Sequence, residues 1–248
     1  MRIRAAFIVA LVLTLIINGL ARQKPDGKRD GESAGGLAIS ETASPPELAR
    51  IALARQGGDK FRNLKSLSLF GSAQLYYSSR PTQITSGQFA IVQAGARART
   101  DVETPEVSFR EIHDGKRAYC VLNRVTAPPP AKFGLAVLAH FDQSGYTTAA
   151  LPDKKKQRGF QISDSEGNST EFYVDPVTGR VMEFSFTYNN IKFTTEYKSF
   201  KEIDGVLVPY SFIRIYGLPR VDICMEFKVK DAKVNQPVAD DAFIIPER

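Results

Sequence analysis

The chain holds no tryptophan, two cysteines, two histidines and three methionines in 248 residues, and each scarcity removes a class of function. Cys120 and Cys224 stand far apart with no histidine or second cysteine beside either, so the ligand spacing of a zinc site is missing. Period-2 alternation sets Cys224 opposite Ile223, Met225 and Phe227, on the polar face of its run, and sets Cys120 with Ala118 and Leu122 on an apolar one. That placement favours two free thiols, although an oxidising compartment would permit a disulfide. Of the histidines, His113 lies in the turn His113-Asp114-Gly115-Lys116 and His140 ends a short apolar helix. Turn polarity explains the first, and a cation at a helix C-terminus explains the second.

Catalytic signatures are equally sparse. No glycine-rich loop follows a strand and opens a helix, and no acidic pair has a recognisable context. Gly31-Glu32-Ser33-Ala34-Gly35 matches G-x-S-x-G, but it lies in a stretch without periodicity, whereas that motif works on a strained turn between a strand and a helix. The expectation is a protein that is not an enzyme, with neither metal nor cofactor.

Long apolar runs are also lacking, with one exception. Ala5 to Ile17 is apolar, follows Arg2 and Arg4, and precedes Gly19-Leu20-Ala21. It is shorter than the roughly 20 residues of a membrane helix, and the small residues at the −3 and −1 positions fit a secretory signal peptide over residues 1–21. Export follows from this reading. The charge excess is mild, 33 Lys and Arg against 27 Asp and Glu, and the bases do not interleave with exposed aromatics as single-strand nucleic-acid binders require. The densest basic run, Lys154-Lys155-Lys156 with Arg158, reads as a solvated loop or a dock for anionic headgroups.

Residues 22–44 are rich in Gly, Ser and charge and read as a flexible tether. Residues 45–248 read as a single β domain. It opens with a helix that Ser44 caps, Pro45-Pro46 begin and Gly57-Gly58 stop. Alternating runs follow as a meander of about ten strands, interrupted once by Pro128-Pro129-Pro130 and the short apolar helix AKFGLAVLAHF. An antiparallel sheet of that size closes or curls, and one curled around helices encloses apolar space. The hairpin VMEFSFTYNNIKFTTEYKSF sets Met182, Phe184, Phe186 and Tyr188 on one face and Glu183, Ser185 and Thr187 on the other, with the second strand alternating likewise about Asn189-Asn190. The expected pocket walls are Leu69, Phe89, Ile91, Phe184, Phe186, Phe193 and Tyr197, with Phe133, Val137 and Phe141 of the short helix.

In the order of these signals the chain resembles the periplasmic lipoprotein carrier superfamily, which includes outer-membrane lipoprotein-sorting proteins and sigma-factor regulatory proteins. The likeness is carried by LKSLSLFGSAQLYY, GARAR, DGKRAYCVLN, the interrupting apolar helix, YVDPVTGRVMEFSF, EYKSFKEIDGVLVPYSF and VNQPVADDAFIIP. It implies a half-open, strongly curved antiparallel barrel with helices covering the concave face. It further implies a monomeric carrier of lipid or lipoprotein acyl chains, served by a membrane-protein donor or acceptor. Arg97 and Arg99 stand where the family has a basic residue that holds its lid. A second reading keeps the fold without lipid cargo, as an envelope sensory or protein-interaction module. The export reading is tested by N-terminal sequencing of protein from the envelope fraction. The mature chain is expected to begin near Arg22, and a retained Met1 refutes cleavage.

Overall fold

The computed structural model describes residues 39–122 and 125–246. The signal segment, most of the tether and the Gly31–Gly35 match lie outside them. Residues 39–44 lie against the domain: Ile39 is buried, its N–H donates to the Pro176 carbonyl at 2.8 Å, and Arg158 donates to the Ser40 carbonyl at 2.7 Å.

Helix α1 (Pro45–Gln56) follows the expected signals. Glu47 accepts from both the N–H and the hydroxyl of Ser44, and Gly57 takes a φ of 124° at the other end. Its buried stripe is Leu48, Ala49, Ala52, Leu53 and Gln56. A single turn, α2 (Asp59–Arg62), leads into the sheet.

The twelve strands, two more than the sequence suggests, are β1 (Ser66–Tyr77), β2 (Arg80–Ala94), β3 (Arg97–Glu103), β4 (Ser108–His113), β5 (Ala118–Cys120), β6 (Thr147–Lys154), β7 (Gln157–Ser163), β8 (Ser169–Val174), β9 (Val181–Tyr188), β10 (Ile191–Ile203), β11 (Val206–Gly217) and β12 (Asp222–Val234). They form one antiparallel sheet in the order β5-β4-β3-β2-β1-β12-β11-β10-β9-β8-β7-β6. Two meanders therefore share a seam, where β1 pairs with β12. The ends are not joined. Exposed edges invite further strand pairing, and here one edge strand has only three residues while the other carries Pro152.

Tight turns set the register. Asn189 and Asn190, with φ of 49° and 61°, make the two-residue β9–β10 hairpin, and Lys155 and Lys156, at 50° and 66°, do the same for β6–β7. Two of the three basic residues in Lys154–Lys156 are thus turn residues.

The concave face carries a row of rings. Phe160 contacts Phe172 with centroids 5.2 Å apart, and the row continues through Phe184 at 6.3 Å, Tyr197 at 6.0 Å, Phe212 at 6.2 Å and Phe227 at 4.8 Å to Phe89 at 4.9 Å. These residues come from β7, β8, β9, β10, β11, β12 and β2 in turn. The row skips β1 because Gly71 stands there. Its neighbour Phe70 marks a register shift against β12, and an added Cβ would meet the Lys228 carbonyl and lie 2.9 Å from the Phe89 ring.

Three local expectations are corrected. Glu183, Ser185 and Cys224, assigned to wet faces, are buried. Glu183 receives Lys154 Nζ at 2.6 Å, and the Ser185 hydroxyl donates to Glu171 at 2.9 Å, so long polar side chains cover the outer face. Cys224 sits between its cross-strand neighbours Tyr76 and Ile215, and both cysteines are free. The interrupting helix contracts to α3 (Leu135–Leu138), framed by turns, because Gly134 enters at a φ of 65°. Gly71→Ala is expected to cost about 1–3 kcal/mol through overpacking. A lowered urea midpoint at unchanged slope would show it, and an unchanged midpoint would mean that the backbone opens freely at this bulge.

Candidate functional site

Between the curled sheet and the β5–β6 connection lies a cavity of about 390 Å³, within the range of small-molecule sites. The connection has to run from one edge strand to the other, and it does so over the concave face: Pro128–Pro130, Phe133, Leu135, Ala139 and His140 all line the cavity. Phe133 stacks on Phe186 at 4.5 Å and 20°, and the Gly134 N–H donates to Thr170 at 3.2 Å. Arg62 of α2 donates both guanidinium NH₂ groups to the Asp142 carboxylate, at 3.0 and 2.7 Å, and holds the connection at its far end. That fork draws the carboxyl of Asp142 below its ordinary range.

Of the residues expected from sequence, Leu69, Ile91, Phe133, Phe184, Phe186, Phe193 and Tyr197 do face this cavity. Phe89, Val137 and Phe141 do not. They are buried in the core, Phe89 against Phe227, while Leu135, Ala136 and Ala139 from the same short segment take the cavity side. Arg97 and Arg99 engage a different element. Arg97 pairs with Asp240 at 2.7 Å and lies 4.7 Å from the Phe243 ring, and Arg99 donates to the Ala242 carbonyl at 3.0 Å and to Asp101. Both hold the C-terminal turn Asp240–Phe243; the basic residue that grips the β5–β6 connection is Arg62 of α2, at Asp142, while Lys132 on the connection itself pairs with Glu166.

The rings form only one side of the cavity. Its opposite side is polar, and the sequence reading missed it. The Tyr216 hydroxyl of β11 donates to Glu111 of β4 at 2.7 Å, and Arg214 of β11 donates to the Thr100 hydroxyl of β3 at 3.1 Å. A signal for it was present: Phe212, Arg214 and Tyr216 alternate onto one face, as do Phe109, Glu111 and His113. A charge between two inward rings is an inward charge. His113 uses its Nδ1 to accept the Gly115 N–H at 3.1 Å, as a turn residue should.

Burial dominates the electrostatics here. It raises the carboxyl of Glu111 above its ordinary range, against the lowering effects of the Tyr216 hydrogen bond and the Arg214 charge. It also raises the Tyr216 phenol, and it pushes the thiol of Cys120, which pairs with Glu111 across β4 and β5, up to about 12. Neither that thiol nor Cys224, also raised, has the exposed, electropositive surroundings of a reactive cysteine.

No family model matches the chain, and no curated protein matches it. Among solved structures it is similar to a LolA superfamily protein of Nitrosomonas europaea at 12% identity, covering 82% of this chain and 98% of that one with a TM-score of 0.49. A domain named as an outer membrane lipoprotein-sorting protein from Vibrio parahaemolyticus follows at 10% identity, 81% and 97% coverage and a TM-score of 0.47. A DUF1329 family protein from Desulfovibrio piger stands at 7%, 82%, 98% and 0.46. The first two bear names from the superfamily that the sequence resembles.

A raised carboxyl pKa means that folding favours the protonated form. The contribution of Glu111 is therefore fully stabilising below the ordinary carboxylate pKa and is lost as pH rises through the raised one. Glu111→Gln retains an acceptor for Tyr216 and should gain stability relative to the natural protein between about pH 4 and about pH 8. Urea melts at the two pH values check this, and a constant or shrinking difference would contradict it.

Proposed function

We propose that the chain is an exported periplasmic binding protein or carrier that holds an apolar ligand, lipid or lipoprotein acyl chains, in the concavity of its sheet. The observation that carries this reading is the cavity of about 390 Å³ walled by Phe184, Phe186 and Phe193 beneath the β5–β6 connection. In a sealed core Phe184 and Phe186 would be fully covered. Phe172 and Phe160, one and two strands further along the same row, are 0% exposed, whereas Phe184 and Phe186 are only half-buried.

The energetics need no cofactor. Burying a methylene is worth about 0.8 kcal/mol, so a chain of about sixteen carbons gains on the order of 12 kcal/mol before the costs of association. Capture from water is downhill, and release calls for an acceptor with a better site. Access requires the connection to lift. One of its ties is of the kind that yields: the Arg62–Asp142 pair is partly exposed and, like other surface pairs, is worth about 0–1 kcal/mol.

A neutral apolar fluorophore, N-phenyl-1-naphthylamine, separates a cavity from a core. The natural protein should bind it and brighten it. Phe186→Leu should alter that binding at a cost of about 1 kcal/mol, well under the 3–5 typical of removing a fully buried ring. Phe172→Leu should cost more stability and leave the probe's site intact. A natural protein that leaves the probe dark, with no lipid extractable from material purified out of the envelope, would end the carrier reading.

A further inference from the structure

The polar side of the cavity holds a cation that the fold itself does not neutralise. Arg62 has Asp142, and Arg99 has Asp101. Arg214 also lines the cavity, yet among the described residues no carboxylate oxygen lies within 4.0 Å of it, and its one hydrogen bond goes to the neutral hydroxyl of Thr100. A guanidinium has five N–H donors in a planar fork. Arg214 is half-buried, with its guanidinium 5.9 Å from the ring centroids of Phe212 and Phe227, and the remaining donors of the fork are open to an anion. Glu111, the nearby acid, is engaged by the Tyr216 hydroxyl, and burial favours its neutral form.

The greasy wall begins one strand away. Arg214 pairs with Thr195 across β11 and β10, Thr195 pairs with Phe184 across β10 and β9, and Phe186 and Phe193 continue the rings towards Phe133. Cation and rings thus line one cavity, with the charge at one side and the apolar surface extending from it.

Building on the carrier reading, we propose that the cavity takes a single-chain amphiphile with a carboxylate head, which the Arg214 fork grips beside Thr100 while the acyl chain lies along Phe184, Phe186 and Phe193. A planar carboxylate matches the fork in geometry and in single charge. A phosphate monoester head, with a charge of about −1.5 to −2, would bring more than one guanidinium balances.

The test is displacement of N-phenyl-1-naphthylamine by oleate and by oleyl alcohol, which share a chain and differ in the head. The natural protein should bind oleate at least about tenfold more tightly, the ratio that 1.4 kcal/mol of charge-assisted hydrogen bonding provides. Arg214→Gln should bring the two to within about twofold, and Arg214→Lys, which keeps the charge without the fork, should keep oleate ahead. Equal displacement by the two in the natural protein overturns the carboxylate site and leaves the carrier reading standing, whatever the folding of the variants. A preference that survives in Arg214→Gln overturns the role of Arg214. A natural protein that binds neither the probe nor either displacer overturns both readings together.

Discussion

The architecture depends on one topological constraint: the two strands at opposite edges of the sheet, β5 and β6, are consecutive in sequence. Twelve strands at about 4.8 Å spacing would put those edges some 50 Å apart in a flat sheet. The sheet curls, and the chain takes the short way, across the mouth of the concavity. The segment from 125 to 146 is therefore a cover by connectivity, before any side chain is considered. Its prolines and the left-handed Gly134 keep it from becoming one long helix. Rings and small residues point down into the space that it closes.

The degree of curvature can be read from single hydrogen bonds. β4 and β11 are five positions apart in the strand order, about 24 Å in a flat sheet, yet Tyr216 reaches Glu111 at 2.7 Å. Arg214 bridges to Thr100 from the same strand. Bonds of this kind contribute modestly in net terms, about 0.5–1.5 kcal/mol each, but a buried partner left without one costs more. They fix how far the two halves of the sheet approach. The row of rings from Phe160 to Phe89 fills what that approach leaves, and Gly71 permits its last contact. The cavity is the remainder that neither the rings nor the polar bridges occupy, and so it is amphipathic.

Much of this was legible in the residues. Period-2 alternation marked the long strands, Asn189-Asn190 marked a hairpin, and Ser44, Pro45 and Gly57 marked both ends of α1, because each signal acts within a few residues of where it is read. Thr147–Lys154 alternates poorly, with Ala149-Ala150-Leu151 in succession, and so gives little for a period-2 pattern to detect. Glu183 shows a second limit. Its polarity pointed outwards, correctly, but an outward residue becomes buried when Lys154, from a neighbouring hairpin, lies over it.

The same division separates the two sides of the cavity. The sequence by itself determined that rings of the β9–β10 hairpin share a face and that this face is apolar, since alternation is a property of the extended backbone. Only the tertiary structure decided which rings are wall and which are core. Phe184 and Phe172 look alike in sequence, yet Phe184 lines the cavity and is half-buried while Phe172 is fully buried. Likewise Arg214 meets Thr100 across 114 positions of chain, and Tyr216 meets Glu111 across 105. Contacts at such separations are fixed by the curvature of the whole sheet, a quantity that no local window contains.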